Sequence, residues 1–416
     1  MNALSGTSGP ETSGPGGWRT PTVVLVCASA ILFLALGTRQ GFGLFLQPMC
    51  SALGWGRETF SAAIALQNLM WGLAQPFVGA IADRFGAGRV LVVGGLCYAA
   101  GLVLMAYSNT GLELGLSTGL LIGIGLSACS FGVVLGVVGR RAPPARRTIA
   151  LGIAGAGGSI GQFAMLPYSQ TLISQFGWLN ALLVLAASAF LIVPLAAALA
   201  GRTTHLHAGG QGIGQALREA ANHKGFWLLT GSFLVCGFQT LFIMVHLPAY
   251  LVDRGGTALE GMTALAAIGL ANVAGSFLCG FLGDRYSKKH LLGTIYWLRA
   301  IAIAAFVLLP LSTWTIALFA IVLGFTWLGT VPLTNSLVAQ IFGVQYLSTL
   351  FSIAWLGHQV GAFAGVWLGG YAFDTTGSYT AVWIVAIGAS VVAALACLPI
   401  DERSLRVPAV SREANA

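Results

Sequence analysis

Twelve apolar stretches, each about 20 residues or longer, divide this chain, and a helix needs a run of that length to cross roughly 30 Å of hydrocarbon. They fall near residues 22–49, 58–81, 90–108, 114–138, 148–173, 178–200, 226–251, 260–283, 289–310, 314–338, 347–370 and 379–399. In lipid a segment must satisfy its own backbone N–H and C=O groups, which leaves helices or closed barrels. The stretches are too long for the alternating strands of an outer-membrane barrel, which run to about ten residues. The chain therefore reads as an all-α membrane protein of twelve transmembrane helices. Only 8% of its residues are charged, against roughly 25% in soluble domains, and that excludes a soluble globule. The first stretch is too long for a signal h-region and has no small-residue cleavage site behind it, so it reads as a retained span.

Loop charge gives the expected orientation. Of the 20 Lys and Arg residues, sixteen fall on one side of the spans, and only Arg57 and Arg254 fall on the other. Basic loops stay inside, which predicts cytoplasmic termini and a plasma (inner) membrane location. Topology and anionic lipid account for the net charge of +8, so nucleic acid is not implied as a partner. The 7 cysteines are odd in number and sit in or at the ends of apolar spans, a pattern of neither disulfides nor metal ligands. Residues 1–21 and 401–416 read as polar, disordered tails. Two six-helix bundles, 22–200 and 226–400, flank a cytoplasmic linker at 201–225.

The six-plus-six division comes from an internal repeat. Gly79, Asp83 and Arg84 leave the second stretch, and Gly280, Asp284 and Arg285 leave the eighth, 201 positions later. Gly37, Phe42 and Pro48 fall on Gly237, Phe242 and Pro248 at a displacement of 200. Twelve spans, this repeat and a Gly79-x-x-x-Asp83-Arg84-x-Gly86 loop resemble the major facilitator superfamily over nearly the whole chain. The loop lacks that family's basic pair directly after the second glycine, since Ala87 and Gly88 precede Arg89. Physically, Gly79 permits close helix approach, Asp83 can face a helix N-terminus, and the basic residues sit at headgroups. We read both loops as conformational latches. The run Ile149 to Gly157 resembles the L-A-x-G-x-A-x-A-G signature of monocarboxylate transporters. Gly16-Gly17-Trp18 resembles the tail of their G-G-W element, without its preceding acid and second Trp. The fifth stretch lacks the Gly-Pro pair of drug antiporters.

Few ionisable residues lie at membrane depth: Arg39 in the first stretch, Arg299 in the ninth, His246 in the seventh and His358 in the eleventh. All 12 Asp and Glu map to loops, span ends or tails. An arginine at mid-bilayer costs at least about 2.5–3.5 kcal/mol and cannot escape by deprotonating, so it needs protein, water or an anion beside it. With no buried carboxylate, an anionic substrate is the natural partner. Aligned through Gly37 and Pro48, Arg39 takes the position of a helix-1 lysine that the monocarboxylate transporter resemblance implicates in substrate and proton handling. Arg299 is equally a site residue or a brace between helices. Where those transporters carry an Asp and an Arg in helix 8, this chain has Asn272 and Ser276. Trp355 and His358 align with a Trp and a Lys of the related oxalate/formate exchanger, and Trp327 with another of its cavity tryptophans. The i, i+3 spacing puts Trp355 and His358 on one helix face. Gln40, Gln67, Gln162, Gln239 and Asn335 can each bind carboxylate oxygens or join two helices.

The expectation is a secondary transporter of a small carboxylate, with two bundles rocking about a central cavity in the lipid bilayer. Arg39 anchors the carboxylate, His358 is the proton-coupling candidate, and Trp327 and Trp355 wall the organic part. Proton symport is the default that the resemblance implies, with anion exchange, facilitated diffusion and efflux of amphipathic drugs as rivals. No catalytic constellation, cofactor motif or metal site is visible, so the chain does not read as an enzyme.

Overall fold

The computed structural model describes residues 19–141, 147–200, 213–343 and 346–405, with side chains for all of these except Asp83, 147–149, Ile213 and Ser348. The Gly16-Gly17-Trp18 element, most of both tails, residues 201–212 of the linker and the side chain of Asp83 lie outside the described residues. The linker's remaining part forms a surface helix, Ile213–Asn222.

Long helices account for nearly everything else. They are α1 Pro21–Leu53, α2 Arg57–Phe85, α3 Ala87–Ala106 and α4 Gly111–Arg141, then α5 and α6 over 147–176 and 178–199. The second series is α7 Lys224–Asp253, α8 Ala258–Gly283, α9 Lys288–Leu308, α10 Thr313–Phe342, α11 Leu347–Thr376 and α12 Thr380–Cys397. Among the described residues, 9 segments are long and apolar enough to cross a membrane, one of them the 50-residue Ala150–Leu199 that holds α5 and α6. Gly177, at φ 76° and ψ 165°, bends the chain between those two. The remaining helices, α2 and α11, pack against one another: a Cβ on Gly72 would meet Gln359, and one on Gly370 would meet Ser61. They face protein there rather than lipid, which is why their sequences tolerate more polar residues.

Several ends and interruptions have local causes. Capping boxes at Thr110/Glu113, Thr257/Glu260 and Ser312/Thr315 start α4, α8 and α10, each satisfying two backbone donors that the first turn leaves over. The winding of α1 tightens to 3₁₀ over Gly41–Phe45, just after Arg39. That of α4 loosens to π over Gly115–Leu121. Helix α10 is interrupted between Thr326 and Thr330.

The repeat is visible in packing. Gly123 of α4 leaves room for α2, since a Cβ there would come 2.9 Å from the carbonyl oxygen of Gln67. Its counterpart Gly324 of α10 does the same toward α8, where the Ile268 oxygen would lie 2.6 Å away. Both members of this pair are displaced by 201 residues. Likewise Gly37 of α1 abuts Gly161 of α5, and Gly237 of α7 abuts the His358 carbonyl of α11. Two six-helix bundles thus repeat one packing scheme. By contrast Gly79 and Gly280 have no neighbouring atom within 4 Å of a built Cβ, so neither makes the close helix approach that its sequence context suggested. We expect Gly123→Val and Gly324→Val each to cost about 1–3 kcal/mol through forced helix separation. Gly79→Ala and Gly280→Ala should leave the melting temperature unchanged or slightly raised; thermal unfolding of the purified variants checks both.

Candidate functional site

Arg39 lies near the middle of the molecule at 8% exposure. Its Nη2 donates to Asn68 Oδ1 of α2, and its guanidinium carbon stands 4.7 Å from the centroid of the Trp71 ring, also on α2. Asn68 is held for this role because its own amide nitrogen donates to Ile64 O at 2.7 Å. Trp71 is fixed too, with its indole N–H shared between Gln75 Oε1 at 3.1 Å and Ser130 Oγ at 3.3 Å. Arg39 Nε is buried without a partner. Among the described residues no Asp or Glu pairs with this guanidinium. A neutral amide and a ring quadrupole orient the charge without cancelling it.

From Trp71 a line of rings crosses into the second bundle. Trp71 meets Trp355 of α11 edge to face at 5.6 Å, and Trp355 lies parallel to His358 at 4.9 Å. His358 in turn lies 4.8 Å from Phe233 of α7. Its Nδ1 is 3.4 Å from Gln359 Oε1, while its Nε2, the Nε2 of Gln359 and the Nε2 of Gln40 are buried with no partner. The structure therefore connects Arg39, Trp355 and His358. Asn68, Trp71 and Gln359, which complete the arrangement, were not singled out from the sequence.

Other sequence candidates sit elsewhere. Arg299 is fully buried, with Nη2 donating to the carbonyls of Thr326 and Trp327 and Nη1 to Gln239 Oε1 at 3.4 Å. Those carbonyls end the first half of α10, where a break frees them and the helix dipole favours a cation. Asn272 Oδ1 accepts the Leu328 amide at 3.0 Å from the other side, and Ser276 donates to the same oxygen at 3.1 Å. The residues standing in place of the acid and base of helix 8 thus secure a broken helix. Gln239 is occupied at both ends, since its Nε2 donates to Ala386 O at 2.9 Å and to Ser390 of α12. Trp327 is buried at the same break. Gln67 donates to Thr118 O at 3.1 Å, a carbonyl in the π-wound part of α4. Gln162 and Asn335 each keep an unpartnered buried oxygen. His246 is satisfied by Tyr379 and Val366 O at 3.1 and 2.9 Å. Of the loop residues, Arg84 packs over Phe85, Arg285 over Phe281, and Asp284 closes the end of α8.

At the end of the molecule away from both termini, the two bundles are clamped together. Arg57, the first residue of α2, makes a two-pronged ion pair with Asp253 at the end of α7, at 2.6 and 2.8 Å. It also donates to the Tyr379 hydroxyl at 2.7 Å and lies 3.7 Å over Phe373. Tyr379 stays neutral there, since burial pushes its phenol up against the opposing pull of Arg57. Asp374 of α11 accepts the backbone amides of Arg57 and Glu58 at 2.9 and 2.7 Å. The residue before α2 is glycine and supplies no side-chain cap, so this helix is capped by the opposite bundle. Glu58 completes the seam by accepting from the Trp367 indole at 3.1 Å.

Comparison with known proteins agrees with this architecture. A family profile described as the Major Facilitator Superfamily matches residues 28–354 and 253–416. Monocarboxylate transporter 13 of Rattus norvegicus is 27% identical over 375 residues, covering 89% of this chain and 86% of its own length. The uncharacterized MFS-type transporter YcxA of Bacillus subtilis (strain 168) is 26% identical, with 85% and 89% covered. Monocarboxylate transporter 11 of Homo sapiens is 26% identical, with 90% and 82% covered. Among solved structures, a bacterial homolog to the human lysosomal transporter Spinster, in an inward-facing and unoccupied conformation, superposes with a TM-score of 0.70. It is 16% identical and 92% of this chain and 95% of that one are covered, a likeness of fold.

The clamp generates its own test. Loss of a helix cap costs about 1 kcal/mol, and loss of a two-pronged arginine pair adds to it. Asp374→Asn combined with Arg57→Gln should therefore widen the distance distribution between spin labels placed on Ser51→Cys and Thr375→Cys. A distribution identical to that of the same labelled protein with Arg57 and Asp374 intact would show that the seam holds without these groups.

Proposed function

This chain belongs to the major facilitator superfamily and is a membrane transporter; from that premise we propose that it carries a small organic anion, monocarboxylate-like, by alternating access to a site at Arg39. One observation carries the reading: a buried guanidinium whose contacts are a neutral amide and an indole ring, with Nε left unpartnered. A carboxylate supplies both the missing charge and the acceptor for that donor. The buried, unpartnered amide nitrogens of Gln40 and Gln359 add donor capacity of the kind an anion uses. The names of two relatives, monocarboxylate transporters 13 and 11, support the same class of cargo.

In this reading the empty site opposes rocking, since an uncompensated cation at membrane depth is costly to move between environments. Bound anion lowers that cost, and the seam around Arg57 closes one entrance while the other serves the site. The basic loops favour cytoplasmic termini, which would make the clamped end the outer one. His358, lying on the ring line from Arg39, is the group placed to couple a proton to the cargo, giving symport; without such coupling the same site works as an exchanger.

Uptake of labelled small carboxylates into proteoliposomes tests this. Arg39→Gln should reduce uptake at least about thirtyfold, the loss expected when one partner of a buried charge pair is removed, while insertion and melting stay near wild type. Full transport by that variant would reject the assignment and favour efflux of amphipathic solutes. An inward proton gradient should accelerate wild-type uptake, and His358→Gln should remove the acceleration.

A further inference from the structure

We propose that the cargo is an aromatic monocarboxylate, its carboxylate on Arg39 and its ring against Trp71 and Trp355, with Trp71 the residue that selects a ring over an aliphatic chain. This rests on the reading of Arg39 as the anion anchor and goes beyond it by naming the class.

The chemistry adjoining the guanidinium is aromatic. Its carbon stands 4.7 Å from the Trp71 centroid, so an acid that bonds the free edge of Arg39 extends its skeleton beside that indole. The next surface is Trp355, edge to face with Trp71 at 5.6 Å and an interplanar angle of 73°. Trp355 is only partly buried, while the rings behind it, His358 and Phe233, are buried. Four rings from α2, α7 and α11 thus form one wall. Flat rings join such a wall edge to face or offset-stacked at centroid distances of about 4.5–7 Å, a gain beyond area alone that a saturated chain cannot make. The wall is pre-set, because Trp71 is tied to Gln75 and Ser130, and Trp355 lies parallel to His358 within 3°. Little ordering remains to be done on binding.

Charge fixes the number of carboxylates. Arg39 is the guanidinium that adjoins the ring wall, through Trp71. Arg299, the other arginine at depth, spends its Nη groups on Thr326, Trp327 and Gln239. A second carboxylate would enter the ring wall with no arginine or lysine to meet it, at a high desolvation cost. The arrangement therefore takes one anionic head and one apolar, flat body. Trp71 and Trp355 come from different bundles, so the same ring contacts both halves and is held best when they are together.

Purified full-length protein in nanodiscs is titrated with benzoate, phenylacetate, cyclohexanecarboxylate and lactate, with ligand-induced thermal shift as the readout. Benzoate and cyclohexanecarboxylate differ little in size and charge but differ in the ring quadrupole. The expected result is that benzoate and phenylacetate bind about tenfold tighter than cyclohexanecarboxylate or lactate, the effect of one or two good ring contacts. Trp71→Leu should erase that preference and Trp71→Phe should keep most of it. Should Trp71→Leu fail to fold, Trp355→Leu carries the same expectation. Equal binding of benzoate and cyclohexanecarboxylate, or a preference that survives both leucine variants, overturns the aromatic assignment while loss of all binding in Arg39→Gln keeps the anion site. Binding of every acid that is indifferent to Arg39→Gln overturns the anion reading and this inference with it.

Discussion

A guanidinium keeps its charge in any environment a protein offers, so placing Arg39 at membrane depth forces the surrounding structure to answer it. The chain has three arginines in demanding positions and answers each differently. Arg57 meets a carboxylate, Asp253, in a two-pronged pair at the rim. Arg299 meets the backbone carbonyls of a broken helix. Arg39 meets an amide and an indole ring of α2, with Nε left over and, among the described residues, neither a carboxylate nor a backbone carbonyl on its guanidinium. The first two brace the structure, one by an ion pair at the rim and the other by helix-end carbonyls and Gln239 with only Nε left over. The third leaves its charge without a counter-charge, and that is the feature on which the proposed anion site rests.

Movement follows from how the bundles touch. Inside each bundle, glycines bring helix backbones into contact, as at Gly123 and Gly324, and such contacts have no slack: they make the bundles rigid bodies. Between bundles there are close backbone approaches too, Gly43 against the Met244 carbonyl of α7 and Gly370 against the Arg57 carbonyl of α2, but the seam at the clamped end adds side chains and a borrowed helix cap. Asp374 closes the first turn of α2 from the far bundle, so the end of α2 is fully satisfied only while the bundles are together. When they part at that end, water can take over the exposed amides, which limits the cost to about 1 kcal/mol.

The helices were legible because lipid imposes one simple demand on the backbone: the twelve apolar stretches fall on α1 to α12, among which 9 described segments are long and apolar enough to span. The division at Gly177 was legible as well, falling between the fifth and sixth stretches, but the π turn in α4 and the break in α10 were not, since each lies inside a continuous stretch. The candidate site divides in the same way. Arg39, Trp355 and His358 stand out as charge or ring at depth. Asn68 and Trp71 do not, because their meaning is a contact with Arg39 across 29 and 32 positions of sequence. Asp374 looks like an ordinary loop acid, and its capping partner lies 317 residues away. Arg299 was visible as a buried cation, but its carbonyl partners exist only because α10 breaks.

The repeat offers an internal control on which of these features belong to function. Displacements of 200 and 201 put Arg39 opposite Gln239, Trp71 opposite Asn272 and Tyr98 opposite Arg299. In the second bundle Arg299 reaches forward from α9 to Gln239 of α7. In the first, Tyr98 reaches forward from α3 to the carbonyl of Ala35 in α1. The bracing interaction is thus kept in both copies, but the cation has changed places: behind the inner helix in one bundle, on it in the other. A brace needs no charge on the inner helix, as Gln239 demonstrates by making its bonds with neutral groups and one arginine. The first bundle nevertheless carries arginine there and sets Trp71 beside it, where the second bundle has Asn272 holding a backbone amide. Where two copies of one scaffold diverge toward an uncompensated charge and a ring, bracing does not account for the difference, and the proposed anionic cargo supplies a reason for it.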